Sequence, residues 1–203
     1  MTADVADTVE DMTTDLQTSD QTLLDVLGGA PTGTWTLDPA HSAVTFSVRH
    51  LMGRVRGRFT DLEGRVELGT TISDCSASVV IATESVDTGV PMRDDDLQSE
   101  RFFDAASFPR ITFSSRQLTA DGDRLRVVGD LTIRDVTREV VLEADFLGLD
   151  TTGLQGESRI GFTGTTRVRR SDFGVGAASD GGGKVVIGDQ VDIVLDVQAA
   201  YEA

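Results

Sequence analysis

Cysteine is almost absent from this sequence: Cys75 is the only one, so no disulfide can form within the chain. Basic residues are scarce as well. Lys and Arg number 18 against 34 Asp and Glu, which gives a formal net charge of −16. That balance excludes a nucleic-acid binder, which must present clustered cations to phosphates. It also argues against electrostatic docking on an anionic leaflet, which needs a polybasic patch; acidity of this kind keeps a domain soluble and monodisperse. Proline is limited to 4 residues, and the aromatics are nine Phe, one Trp and one Tyr. An interior built from this chain therefore consists of Phe and aliphatic side chains, with few polar-tipped rings. No apolar run approaches the ~18 residues of a membrane-spanning helix, and no aromatic girdles mark a transmembrane barrel. The N-terminus has neither a basic n-region nor an apolar h-region, so it does not read as a secretory signal and points to cytoplasmic residence.

Glycine is plentiful, at 21 residues, and so is alternation. The composition changes near Pro31. Residues 1–32 hold seven acids (Asp4, Asp7, Glu10, Asp11, Asp15, Asp20 and Asp25) and no base, an acidic extension expected to be largely disordered. Within it, Ser19 or Asp20 can cap a short helix carrying Leu23, Leu24, Val26 and Leu27, with Gly28 as its stop. Residues 33–203 are expected to form the folded domain. From Trp35 the pattern has period two. Val44, Phe46 and Val48 alternate with Thr45, Ser47 and Arg49. Phe59, Leu62, Val66 and Leu68 suggest a second strand with a turn or bulge at Gly64. Further runs lie at Ala77–Ala82, Ile111–Phe113, Leu125–Ile133, Val140–Phe146, Ile160–Gly164 and Val191–Val197, giving about eight strands joined by turn signals such as Asp121-Gly122. Helical periodicity is convincing only over Met92–Phe103. The fold class is all-β, a closed antiparallel barrel or a sandwich.

Residue types with catalytic potential are few. Asp38, His41 and Ser42 contain the side chains of a hydrolase triad, but neighbours on a strand face opposite ways, so His41 and Ser42 cannot readily align base to nucleophile. Asp38 and His41 are expected to satisfy backbone groups in the turn between the first two strands. No Gly-x-Ser-x-Gly elbow occurs. Two histidines and one cysteine cannot supply an ordinary transition-metal site, so no metal or catalytic residues are expected. Asp94-Asp95-Asp96 reads as a solvated helix start, where acids favour the dipole. Arg167, Arg169 and Arg170 form the basic cluster, expected to bridge to Asp172 and its neighbours; the sharper reading is a phosphate contact. Gly181-Gly182-Gly183-Lys184 reads as a hairpin tip.

Five ordered blocks carry a resemblance. They are Trp35-Thr36-Leu37-Asp38-Pro39-Ala40-His41-Ser42; Phe102-Phe103-Asp104 with Phe108-Pro109-Arg110-Ile111-Thr112-Phe113-Ser114-Ser115; Gly129-Asp130-Leu131-Thr132-Ile133-Arg134-Asp135-Val136-Thr137; Arg170-Ser171-Asp172-Phe173-Gly174; and Ile187-Gly188-Asp189-Gln190-Val191. On these the chain resembles the YceI-like family of bacterial lipocalin-fold proteins from about Thr34 to Val197. Arg134 and Asp135 depart from the neutral residue and glycine commoner in the family, which bears on that turn. The acidic extension lies outside the pattern, and the export signal of many relatives is missing. The resemblance implies an elongated eight-stranded antiparallel lipocalin-like barrel with a short helical segment. It also implies an interior that holds a polyisoprenoid, isoprenoid quinone or similar amphiphile, no catalytic residues, no cofactor beyond the bound lipid, and the possibility of a homodimer.

Alternation by itself fits a packed core as well as a greasy cavity. Small residues among the large ones (Gly129, Ala144 and Gly164) are expected to leave space. The cavity wall is expected to comprise Val44, Phe46, Val48, Phe59, Val79, Ile81, Ile111, Phe113, Leu131, Ile133, Leu142, Phe146, Phe162, Ile193 and Leu195. Val79 and Val80 compete for the inward position, since a register slip of one residue exchanges the faces. Leu97, Phe102 and Phe103 belong to the segment expected as a lid or rim. His50 is expected either to stabilise its turn through a hydrogen bond or to meet a ligand headgroup. The leading function is a carrier or reservoir for a long isoprenoid lipid, without stable membrane insertion. The rival is an interaction module that acts through the acidic extension, with a packed or incidental interior.

Overall fold

The alternation that begins at Trp35 is realised as paired strands. The computed structural model describes residues 27–121, 124–153, 156–176 and 187–202. The capped helix expected from Ser19, most of the acidic extension, Gly122 of the expected turn and the Gly181–Lys184 tip lie outside the described residues. The strands are β1 (Gly33–Leu37), β2 (Ala43–His50), β3 (Gly53–Phe59), β4 (Leu62–Leu68), β5 (Ser76–Ala82), β6 (Val86–Asp87), β7 (Arg110–Asp121), β8 (Arg124–Ile133), β9 (Val136–Asp150), β10 (Arg159–Arg169) and β11 (Ile187–Tyr201). β1, β4, β5, β7, β8, β9, β10 and β11 pair in that order and β11 returns to β1, which closes an antiparallel barrel of eight staves. Among the described residues one α-helix, α1 (Pro91–Gln98), follows β6.

Two staves are broken strands. β11 pairs with β1 through Ala199–Tyr201 and with β2 through its other half, so β1 and β2 share one edge of it. The break is the 3-10 turn Pro39–His41, where Pro39 has no N–H to give the ladder. β4 and β3 are related in the same way. Gly64 is not the turn expected there: the chain breaks at Thr60 and Asp61, and Gly64 sits within β4 opposite Val79. A Cβ at Gly64 would stand 2.6 Å from the Ser78 carbonyl oxygen, so close strand approach explains this glycine.

The Pro39 corner is clamped electrostatically. Asp38 accepts a hydrogen bond from the Ala40 amide (2.9 Å) and faces His41 Nδ1 (2.9 Å), as expected of a turn residue. Its Oδ2 also accepts from Arg159 Nη1 at 2.5 Å, and Arg159 Nε donates to Glu157 at 2.7 Å. Arg159 opens β10, so the clamp ties the first corner to a strand far along the chain. The Arg159 guanidinium, then His41, hold the Asp38 carboxyl down at about 2.

The base of the barrel is sealed by a separate core. Trp35, Ala199 and Ile160 are fully buried there, and Leu27 and Ala30 dock beneath them. The packed body therefore reaches back to Leu27, ahead of the boundary expected at residue 33. Trp35 Nε1 donates to the Pro31 carbonyl (3.2 Å), which lets the ring be buried without an orphan donor. At the other end, α1 is shorter than the helix expected over Met92–Phe103. It stops at Gln98, and Phe102 and Phe103 lie in the tight turns that follow. Arg134, which departs from the family pattern, occupies the two-residue β8–β9 turn at φ +58°. Its guanidinium donates to the Gly174 carbonyl (3.0 Å) and lies 5.5 Å from the Phe108 ring centroid, so the side chain tethers the turn to the segment after β10.

Two outcomes follow from the base. Trp35→Ala should cost about 3–5 kcal/mol in equilibrium denaturation, and a loss below about 1 kcal/mol would contradict its role as the plug. Asp38 has a folded pKa below the unfolded value of about 3.9. Its contribution is therefore complete above about pH 4 and is lost as pH falls through about 2. Asp38→Asn should flatten the fall in stability between about pH 4 and 2 seen in acid titrations of the parent; an unchanged acid limb would refute the clamp.

Candidate ligand-binding cavity

The inward positions of the upper barrel do not meet at its axis. They enclose a cavity of about 790 Å³. Cross-strand register decides which side chains reach it. Val44 pairs with Phe59 and Leu195, Phe46 with Ile193, and Val48 with Val55 and Val191, so these all share the inner face. Val79 lies between Gly64 and Phe113, and Ile81 between Leu62 and Ile111. Val79 and Ile81 line the cavity and Val80 does not.

Of the residues expected at the wall or rim, Val44, Phe46, Val48, His50, Phe59, Val79, Ile81, Phe102, Phe103, Ile111, Phe113, Leu131, Ile133, Leu142, Ile193 and Leu195 line this cavity. Phe146 and Phe162 do not. Phe162 lines a second cavity of about 100 Å³ nearer the base. Phe146 packs against Phe162 with ring centroids 5.3 Å apart. Both rings lie in the basal halves of long strands, beyond a layer of Val79, Phe113, Leu142 and Leu195 that borders both spaces. Alternation puts Phe146 and Phe162 on the inner face but gives no sign of where this floor falls.

The small residues behave differently from one another. A Cβ at Gly129 would lie 2.6 Å from the Phe113 ring, so that gap is filled by Phe113 and is not open space. Gly57 receives the ring of its cross-strand partner Phe46 in the same way. Ala144 and Gly164 border the basal cavity. Wall residues outside the expected set include Val55, Val140, Val168, Ile187 and Val191, whose alternation was there to be read. Phe173 and Val175 come from the 3-10 turn Arg170–Phe173 and its exit, which carry no periodic signal.

Polar groups gather at the mouth. Arg170 donates to the carbonyls of Gly188 (3.0 Å), Val175 and Gly176 (both 2.8 Å), so backbone occupies the guanidinium that was a candidate for phosphate. Arg167 pairs with Asp192 at 2.5 Å and Arg169 with Asp189 at 3.4 Å. The cluster is thus bridged as expected, but to β11 and not to Asp172. Arg93 donates to Thr88 Oγ1 (2.7 Å), and Asp94 accepts from the Thr88 amide (2.9 Å), which fixes the start of α1. His50 lines the mouth and makes no side-chain hydrogen bond among the described residues, so the turn-stabilising bond expected of it is not formed. The candidate triad is disassembled: Ser42 Oγ exchanges hydrogen bonds with the Gln198 backbone (3.0 and 3.2 Å), while His41 turns to Asp38. Among the described residues no helix is long and apolar enough to cross a membrane.

Known proteins share this architecture. The YceI-like domain matches residues 35–199. A UPF0312 protein of Vibrio parahaemolyticus is 35% identical over 152 residues, covering 72% of this chain and 80% of its own length. One from Staphylococcus aureus is 32% identical over 143 residues, covering 70% and 81%. Among solved structures, Burkholderia cenocepacia BcnA superposes with a TM-score of 0.72 at 25% identity over 80% of this chain and 99% of its own. A polyisoprenoid binding domain from Saccharophagus degradans superposes at 0.64 with 16% identity over 85% and 100%, a likeness of fold alone. With the closed eight-staved barrel and a domain match over most of its length, this chain belongs to the YceI-like family.

Proposed function

We propose that the protein binds one long apolar lipid, of the polyisoprenoid or isoprenoid-quinone class, as a carrier or reservoir and without catalysing its conversion. The observation that carries this reading is the cavity of about 790 Å³ walled almost entirely by Phe, Val, Ile and Leu. Its volume lies within the range of ligand pockets, about 300–1,000 Å³. At the liquid share of about 30 Å³ per water-sized atom it holds about 26 heavy atoms, or about five isoprene units. At about 0.3 kcal/mol per heavy atom such a ligand gains about 8 kcal/mol, a micromolar affinity. The wall offers no polar anchor along most of its length, so length and shape set selectivity, and a headgroup sits at the mouth beside His50. The fold shared with a polyisoprenoid binding domain supports the assignment. A void of this size does not suit a packed interior, so the rival interaction-module reading is left with an incidental one.

Native mass spectrometry of gently purified protein, followed by organic extraction and lipid analysis, tests the proposal. A stoichiometric isoprenoid is expected. Protein that is empty, and that also fails to take up added prenyl lipids or quinones, would overturn it. Phe113 stands between the two cavities, of about 790 and 100 Å³. Phe113→Ala should join them and move the preferred chain up by at least about one isoprene unit, at a stability cost of about 3 kcal/mol. An unchanged length preference in competition binding would show that the floor does not measure the chain.

A further inference from the structure

We infer that the β2–β3 hairpin tip is a docking surface for an anionic lipid bilayer, set at the mouth of the cavity. The inference deepens the lipid-carrier reading, on which its purpose rests, by naming where cargo enters and leaves.

The first observation is where apolar side chains are left in water. Met52 is fully exposed, Met92 is 82% and Leu51 55% exposed, and Val90 is 44% exposed. Leu51 and Met52 join β2 to β3 directly after His50, and Val90 and Met92 border the same cavity from the start of α1. Leu147, the other exposed large hydrophobic among the described residues, lies far away on the basal half of β9. Exposed apolar residues thus collect beside a part of the cavity bordered by His50, Val90 and Met92.

The second observation is charge. The chain carries 34 acids in 203 residues, yet none stands between Asp38 and Asp61. Within that stretch lie Arg49, Arg54, Arg56 and Arg58. Register places Arg49 opposite Arg54, Arg56 opposite Ser47 and Arg58 opposite Thr45. Their neighbours Val48, Val55 and Phe46 face the cavity, so all four arginines share the outer face. Arg54 pairs with Asp192 (2.6 Å) and Arg58 with Asp87 (3.1 Å), whereas Arg49 and Arg56 have no carboxylate partner among the described residues. Asp192 already answers Arg54 and Asp87 answers Arg58, so the cations of this face left without a carboxylate among the described residues are Arg49 and Arg56. The net charge of −16 therefore hides a small local basic collar, in which Arg49 and Arg56 are those cations without a carboxylate. The exposed Asp95 and Asp96 of α1 confine that collar to the hairpin side of the mouth.

An apolar tip with Arg49 and Arg54 at its base and Arg56 further along the same outer face suits the headgroup boundary of a bilayer, where apolar side chains insert and cations meet lipid phosphates. The cavity mouth beside His50 gives a lipid a path that avoids water.

The full chain, freed of extractable lipid, should co-sediment with vesicles of phosphatidylglycerol and phosphatidylcholine, bind phosphatidylcholine vesicles poorly, and be released by raised salt. Arg56→Ala should weaken binding about fivefold, and Met52→Asp about tenfold or more. Neither should change the native mass or lipid uptake of the barrel. Trp35 is fully buried, so Met52→Trp supplies a reporter whose emission should shift to the blue on anionic vesicles only. Equal binding to neutral vesicles, unshifted emission, or retention by both variants would overturn the inference. So would sedimentation showing that Met52→Asp dissociates a dimer, because a second copy would then be the occupant. Docking by a barrel that takes up no prenyl lipid would refute the cargo reading alone, and a lipid-loaded barrel that does not dock would refute this one alone.

Discussion

Closure of the hydrogen-bonded ring is the constraint on which the rest depends. Eight staves joined edge to edge hold opposite walls at a distance set by strand number and tilt, not by the side chains inside. An open sandwich can slide its sheets together until the side chains touch; a closed ring cannot without breaking its ladders. Val44, Ile193, Leu131 and Ile111 are therefore held apart across the axis, and the space between them persists. In most interiors such a void is a cost, because its lining lacks contacts on one side. Here the ladders and the basal core carry the stability, and the vacant volume is what an apolar guest recovers.

That constraint explains what could be read from the sequence. Side-chain period two separates inner from outer faces, so the wall from Val44 to Leu195 was legible wherever alternation was clean. The resemblance supplied what alternation could not, namely that the ring closes around a space. Neither source located the floor. Phe146 and Phe162 obey the same alternation as Phe113, and only three-dimensional stacking puts them in the lower storey. Gly129 shows the same limit: a small inward residue reads as a gap until the ring that covers it is seen. Leu97, Phe102 and Phe103 were legible as rim residues because they sit beside a helical pattern, whereas Phe173 and Val175 enter the wall from a 3-10 turn with no period at all.

Net charge misleads for a related reason. It sums over the chain, while a surface is built by register. The acid-free stretch from Pro39 to Thr60 is short beside the acidic whole, yet antiparallel pairing folds it onto itself and turns four arginines the same way. The Arg167–Arg170 cluster, conspicuous in the sequence, is consumed internally by Asp192, Asp189 and backbone carbonyls. Basic residues scattered along a strand can thus share an exposed face, with Arg49 and Arg56 left without a carboxylate among the described residues, and those adjacent in sequence can be the structural ones.

The two ends of the barrel are built differently, as the proposed carrier reading requires. At cavity level β3 pairs away from β2 only through Arg58 and Phe59, so irregular segments and not ladders border the wall there, whereas β1 closes the ring at the base. The base is fixed by Trp35 and by the reach of Arg159 to both Asp38 and Glu157, interactions that join segments distant in sequence. The mouth is bordered by Phe102, Phe103 and Phe173, which stand on short turns and not on ring strands. Displacing those side chains costs apolar contacts that an entering lipid replaces in kind, whereas displacing Trp35 would break a core that no guest can reach. The proposed entry at the mouth and stop at the floor thus match where the irregular segments lie.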